Sequence, residues 1–209
     1  MNIKMILVVV SIPFICFSQR SENVFVQIEN GFLFDVFDPK MDINPFSPDM
    51  QSNFNGIDDV LQGIKYTLGY KLSEKLSVGI NIMEANIAGS NNIESYQTNF
   101  NERNVLVNYD LINIYNYKFY THISYGKIEF SSKRKLVYDG YNIPTNCENC
   151  NSDKYSYGVG LSTRLSEYIE VGLNFSRNIV THDGFDGWDY GSNKDEYLYR
   201  SLSLRINLN

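Results

Sequence analysis

From residue 24 onward the chain changes polarity at almost every step, and this period of two constrains its fold more than any other feature. Val24, Val26, Ile28, Phe32, Phe34 and Val36 share one parity, while Gln27, Glu29, Gly31 and Asp35 share the other. Successive side chains of a strand point to opposite faces, so this run predicts a strand with one apolar and one polar face. A helix needs apolar residues three and four apart, which the stretch lacks. The alternation returns over 60–72, 76–82, 105–111, 119–125, 155–165, 169–175 and 198–208, which makes eight strands. With Tyr 16, Phe 13, one Trp and only five Pro, the composition favours strands as well. At 43% hydrophobic and 20% charged side chains with a formal charge of −6, the chain is no disordered segment, basic nucleic-acid binder or helical membrane protein.

The connections alternate between short and long. Tight turns are predicted at Ser73-Glu-Lys75, around 113–117 and at Ser166-Glu-Tyr168, and long loops at 38–59, 85–103, 128–154 and 178–196. Four long loops at one end and three tight turns at the other form the plan of an eight-stranded antiparallel up-and-down transmembrane β-barrel of an outer membrane. Each strand offers about ten residues, enough to cross a thin bilayer when tilted. The strand glycines, Gly31, Gly63, Gly69, Gly79, Gly126, Gly158, Gly160 and Gly172, all take the polar parity, as a narrow interior demands. A soluble barrel would put its apolar face inside. Here the apolar face is bulky and aromatic while the polar face carries charges, which predicts lipid outside and a polar lumen. Arg200 breaks the rule by taking the outward parity. A lipid-facing cation costs roughly 2–4 kcal/mol at the midplane but about 0–1 kcal/mol at the interface, within reach of a side chain near the loop end of the last strand.

The first residues address the compartment. Lys4 precedes the apolar runs 5–10 and 12–17, and Ser18 follows, the pattern of a secretory signal peptide over 1–19. The barrel domain is then 20–209. Cys16 leaves with the signal, so the mature chain keeps Cys147 and Cys150, an even number in an oxidising compartment.

On this architecture the chain resembles the small outer-membrane β-barrels of the OmpA/OmpX type over essentially all of 20–209. The resemblance rests on alternation and loop plan. It implies residence in the outer membrane of a Gram-negative cell, with outer-membrane lipid and lipopolysaccharide as partners. Two departures are expected: the chain ends Arg205-Ile-Asn-Leu-Asn209 where many such barrels end in an aromatic residue, and no peptidoglycan-binding domain follows the last strand.

Several constellations could carry chemistry. Glu29, Asp35, Asp110 and Glu170 share the inward parity with Lys65, Lys71, Arg164 and Arg205, which predicts a lumenal ion-pair network, since charges in a narrow barrel need partners. Cys147-Glu-Asn-Cys150 is open to three readings: a structural disulfide, half of a metal site or a redox pair. Asp183, Asp186 and Asp189 invite calcium but lack EF-hand spacing, so turns are the expected role. Phe185, Trp188 and Tyr190 in the same loop are candidates for contact with an extracellular partner. His122-Ile-Ser124 is similar to the His-x-Ser of lipid A deacylases, but only Glu129 stands near enough in sequence to orient the histidine. The expected function is non-catalytic, structural or surface-interacting through the four loops, with no cofactor or metal and no nucleic acid. A narrow transport pore is the second reading and a lipid A-modifying enzyme the third.

Overall fold

In the computed structural model the alternating segments become β1 Val24–Val36, β2 Leu61–Lys71, β3 Leu76–Ser90, β4 Glu94–Ile114, β5 Tyr117–Leu136, β7 Cys150–Arg164, β8 Ile169–Val180 and β9 Asp195–Leu208, with a two-residue β6 at Asn142–Ile143. The structure describes residues 23–36, 61–90, 94–136, 142–143, 147–182, 184–185 and 194–208. Each long strand pairs antiparallel with the next, β5 pairs with β7, and β1 pairs with β9 from Val24↔Leu208 to Val36↔Glu196, which closes an eight-stranded barrel. β6 only flanks β5, through Arg134↔Ile143 and Lys135↔Asn142.

Two of the tight turns are built alike. The Ser73 hydroxyl accepts from the Lys75 and Leu76 amides at 3.3 and 3.1 Å, and Ser166 repeats this with Tyr168 and Ile169 at 3.3 and 3.1 Å. Such serine–backbone bonds stabilise turns that carry no glycine. The third turn, Tyr115-Asn116, places Tyr115 at a φ of 53°. A register shift between Asp110 and Ile112 precedes it, so the chain gains a residue against β5 while Asp110 stays inward.

Outward side chains form an exposed apolar belt, with Ile28, Leu68, Ile80, Val105, Ile123 and Leu202 among its members. Tyr70, Tyr109, Tyr117 and Tyr168 edge it near the tight turns, and Phe32, Tyr125, Tyr157 and Phe175 edge it towards the loops. Beyond the loop-side edge five outward residues on β3, β4, β5, β7 and β8 are charged: Glu84, Arg103, Lys127, Asp153 and Arg177. Lys127 Nζ lies 2.6 Å from Asp153 and Arg103 lies 3.9 Å from Glu129, while Arg177 pairs with Glu196. Arg200 is exposed at this edge, between Phe32 and Phe175 on the neighbouring strands.

The strands run further than the alternation predicts, because past the charged ring the two parities exchange character. Met83, Ala85, Ile87, Tyr96, Phe100, Ile128 and Phe130 point inward and are buried, whereas Asn99, Asn101 and Glu129 point outward and are exposed. The spans 85–103 and 128–154 are therefore largely strand and not loop, and the β3–β4 pairing continues to Ser90↔Ser95. Outside this part of the barrel the surface is polar, and inside it an apolar cluster replaces the polar lumen. At about 3.4 Å per residue and a tilt of about 40°, the 20 residues of β5 rise roughly 50 Å, about twice the height of an apolar belt.

Candidate functional site

The lumen holds the molecule's concentrated chemistry, in three tiers of buried ion pairs beneath an apolar cap. In the tier nearest the tight turns, Glu170 on β8 is 3% exposed and faces three cations: Lys118 Nζ at 3.5 Å, Arg164 at 3.9 Å and Arg205 at 3.9 Å. Lys118 also reaches Asp110 at 3.4 Å, and Arg205 donates to Gln27 Oε1 at 2.8 Å while lying 4.2 Å from the centre of the Phe25 ring. Asp110, Lys118, Arg164, Glu170 and Arg205 line a cup of about 320 Å³ at the tight-turn mouth, and Lys71 stands on its wall.

In the middle tier Glu29 accepts from Lys65 Nζ at 2.8 Å, Ser201 Oγ at 2.8 Å and Gln27 Nε2 at 3.0 Å. In the upper tier Glu102, 1% exposed, pairs with Lys154 and accepts from Tyr197 Oη at 2.5 Å and Asn104 Nδ2 at 2.9 Å. Each of these carboxylates has an opposite charge and further donors, which is what offsets the cost of taking it out of water. Small polar side chains fill the space between tiers, among them the Ser124–Ser156 pair at 2.6 Å and Asn104 Nδ2 donating to Asn81 Oδ1 at 2.8 Å. The gap beside the upper pair is about 10 Å³, scarcely room for one water.

Above the tiers, Phe185 enters from the last long connection and plugs the mouth. Its ring lies 5.2 Å from Phe100, 5.2 Å from Phe130 and 5.5 Å from Tyr197. Asp195 Oδ2 accepts from the Gly184 and Phe185 amides at 3.0 and 2.6 Å, and the Phe185 carbonyl accepts from Thr98 Oγ1 at 2.5 Å and Ser132 Oγ at 3.0 Å.

Set against the sequence expectations, the structure gathers Asp110, Arg164, Glu170 and Arg205 into one tier and joins Glu29 to Lys65 in another. Lys71 lines the cup without a carboxylate within ion-pair distance among the described residues. The Asp35 backbone pairs with Tyr197, and its side chain lies outside the described residues. Glu102, Lys118 and Lys154 were missed: the first and third fall in spans read as loop, and Lys118 precedes the first residue assigned to its strand. Continued parity would have found all three, since Lys118 is in step with Tyr120 and His122. Phe185 requires a correction. It is no exposed contact residue but is 1% exposed, because the inward-facing rings of Phe100, Phe130 and Tyr197 pack around it. Trp188, Tyr190, Asp183, Asp186 and Asp189 lie outside the described residues. Cys147 and Cys150 are joined by a disulfide. His122 and Ser124 both face the lumen and are buried, with Ser124 hydrogen-bonded to Ser156 and not to His122.

No protein-family model matches the sequence, and no curated protein matches it. Among solved structures the chain is similar to Neisserial surface protein A, NspA, at a TM-score of 0.56 and 11% identity, over 88% of this chain and 97% of that one. The fold is that of a small outer-membrane β-barrel. Looser likenesses to such barrels include the attachment invasion locus protein Ail of Yersinia pestis (TM-score 0.43, 8% identity, 88% and 96% covered). Another is the N-terminal β-barrel domain of Pseudomonas aeruginosa OprF (TM-score 0.44, 13% identity, 90% and 100% covered). In an outer-membrane barrel the exposed apolar belt meets hydrocarbon, and closure leaves no strand edge unpaired in a medium that cannot hydrogen-bond to it.

Proposed function

We propose that this protein is a non-conducting, non-catalytic outer-membrane barrel that acts through the surface it presents beyond the membrane. The carrying observation is the occupied lumen: three ion-pair tiers, serine and asparagine packing and the Phe185 cap stand in series along the axis. A pore needs a continuous wet path, and an eight-stranded barrel encloses space for side chains and little else. Acyl transfer to lipid A would need the nucleophile to reach the bilayer, whereas Ser124 and His122 sit inside the wall. What remains for recognition is the barrel extension, with its charged ring and the loops above it. Residues 1–19 are proposed to direct export. The tight turns then face the periplasm and the long loops the exterior, with lipopolysaccharide around the belt and an extracellular partner at the loops.

Purified protein in planar bilayers tests this. The expected record shows no steady conductance, and a stable open level would overturn the reading. Protease shaving of intact cells tests the orientation: cuts are expected in the long connections, and cleavage at Ser73-Glu-Lys75 from outside would reverse it.

A further inference from the structure

The disulfide has a neighbour the sequence did not suggest. The sulfurs of Cys147 and Cys150 and a ring nitrogen of His182 all lie within 4.8 Å of one another, although His182 is some 30 residues further along the chain. The three sit at the edge of the apolar cap: Cys147 is 1% exposed, its carbonyl accepts from the Ser132 amide at 3.1 Å, and the His182 ring lies 5.6 Å from Phe130. Two thiolates in Cys-x-x-Cys spacing with one imidazole are a ligand set suited to a thiophilic d¹⁰ cation, and a tetrahedral ion bound by three side chains keeps one position for water. We propose that, once reduced, Cys147, Cys150 and His182 form a zinc site.

The two oxidation states do different mechanical work. The disulfide joins residues three apart and ties no distant segments together. The metal would join the connection before β7 to the one after β8, where Phe185 follows His182 by three residues. Zinc would therefore fasten the segment that plugs the barrel. The steps balance with a thiol reductant. Two reductant thiols give up two electrons and two protons and become a disulfide, while the Cys147–Cys150 S–S bond breaks and both sulfurs become S–H. Zinc(II) then displaces those two protons to solvent as it takes the two thiolates and the imidazole lone pair.

The test uses the full mature chain folded in detergent micelles, with heat-modifiable gel migration as the check on folding. Cobalt(II) serves as the coloured probe and zinc(II) as its competitor, both added without oxygen before and after reduction. The reduced protein is expected to take up one cobalt per chain with a thiolate-to-metal charge-transfer band that zinc abolishes, and the oxidised protein to show neither. His182→Ala, or His182→Gln should the first misfold, is expected to weaken binding by about tenfold or more, since even outer-shell losses cost that much. Three results would overturn the proposal: no uptake by the reduced protein, loss of the folded form on reduction, or affinity unchanged in the folded His182 variant.

Discussion

Phe185 is the residue whose environment departs furthest from its sequence context, since Asp-Gly pairs flank it in the chain while three aromatic rings surround it in space. Cutting a buried phenylalanine to alanine costs about 3–5 kcal/mol, so Phe185→Ala is expected to lower the urea midpoint of refolded protein accordingly. A loss under about 1 kcal/mol would mean that the ring is not seated as described. The Glu102–Lys154 pair allows a sharper test. Removing one partner strands a buried charge, so Glu102→Gln alone is expected to cost about 3–5 kcal/mol, and the double variant Glu102→Gln with Lys154→Met clearly less than the sum. Strict additivity in the unfolding cycle would deny the pairing. A third site rests on space alone. A Cβ added at Gly160 would stand 2.2 Å from Tyr120 Cζ and 2.6 Å from Asn174 Oδ1, so Gly160→Ala is expected to destabilise by about 1–3 kcal/mol in the same assay, and Tyr120→Ala to remove the part of that penalty due to the ring. At this scale the glycines were legible because parity alone puts them inside. The partners were not, because which inward charges meet depends on strand register across the barrel.

The elements show where sequence reading stops and why. Inside the belt, each strand follows one rule, apolar out and polar in, and eight strands can be read directly. On β3, β4 and β5 the rule reverses at the ring of Glu84, Arg103 and Lys127 without any break in the backbone pairing. A search for one polarity on one face loses the strand at that point, although the period of two runs on through Tyr96, Thr98 and Phe100. The consequence is measurable by hydrogen exchange in micelles. Amides of 96–102 are expected to be protected nearly as well as those in the belt, since they belong to the same ladders. Exchange at the rate of an unstructured loop would restore 85–103 to the sequence-based reading.

At the scale of the whole molecule the barriers in the lumen act in series. Removing one leaves the others closed, so Phe185→Ala and Lys154→Ala are each expected to remain silent in planar bilayers, and conductance from either single variant would show that one barrier had sealed the barrel alone. The seam between β1 and β9 has a consequence of another kind. Two lumenal bonds cross it, from Ser201 to Glu29 and from Arg205 to Gln27, between residues more than 170 positions apart. A cylinder sealed by its first and last staves cannot be raised plank by plank during synthesis. The whole ribbon has to be on hand, kept from clumping in the meantime, before the hoop can shut, so assembly is an all-or-nothing event paced by that late meeting of distant ends.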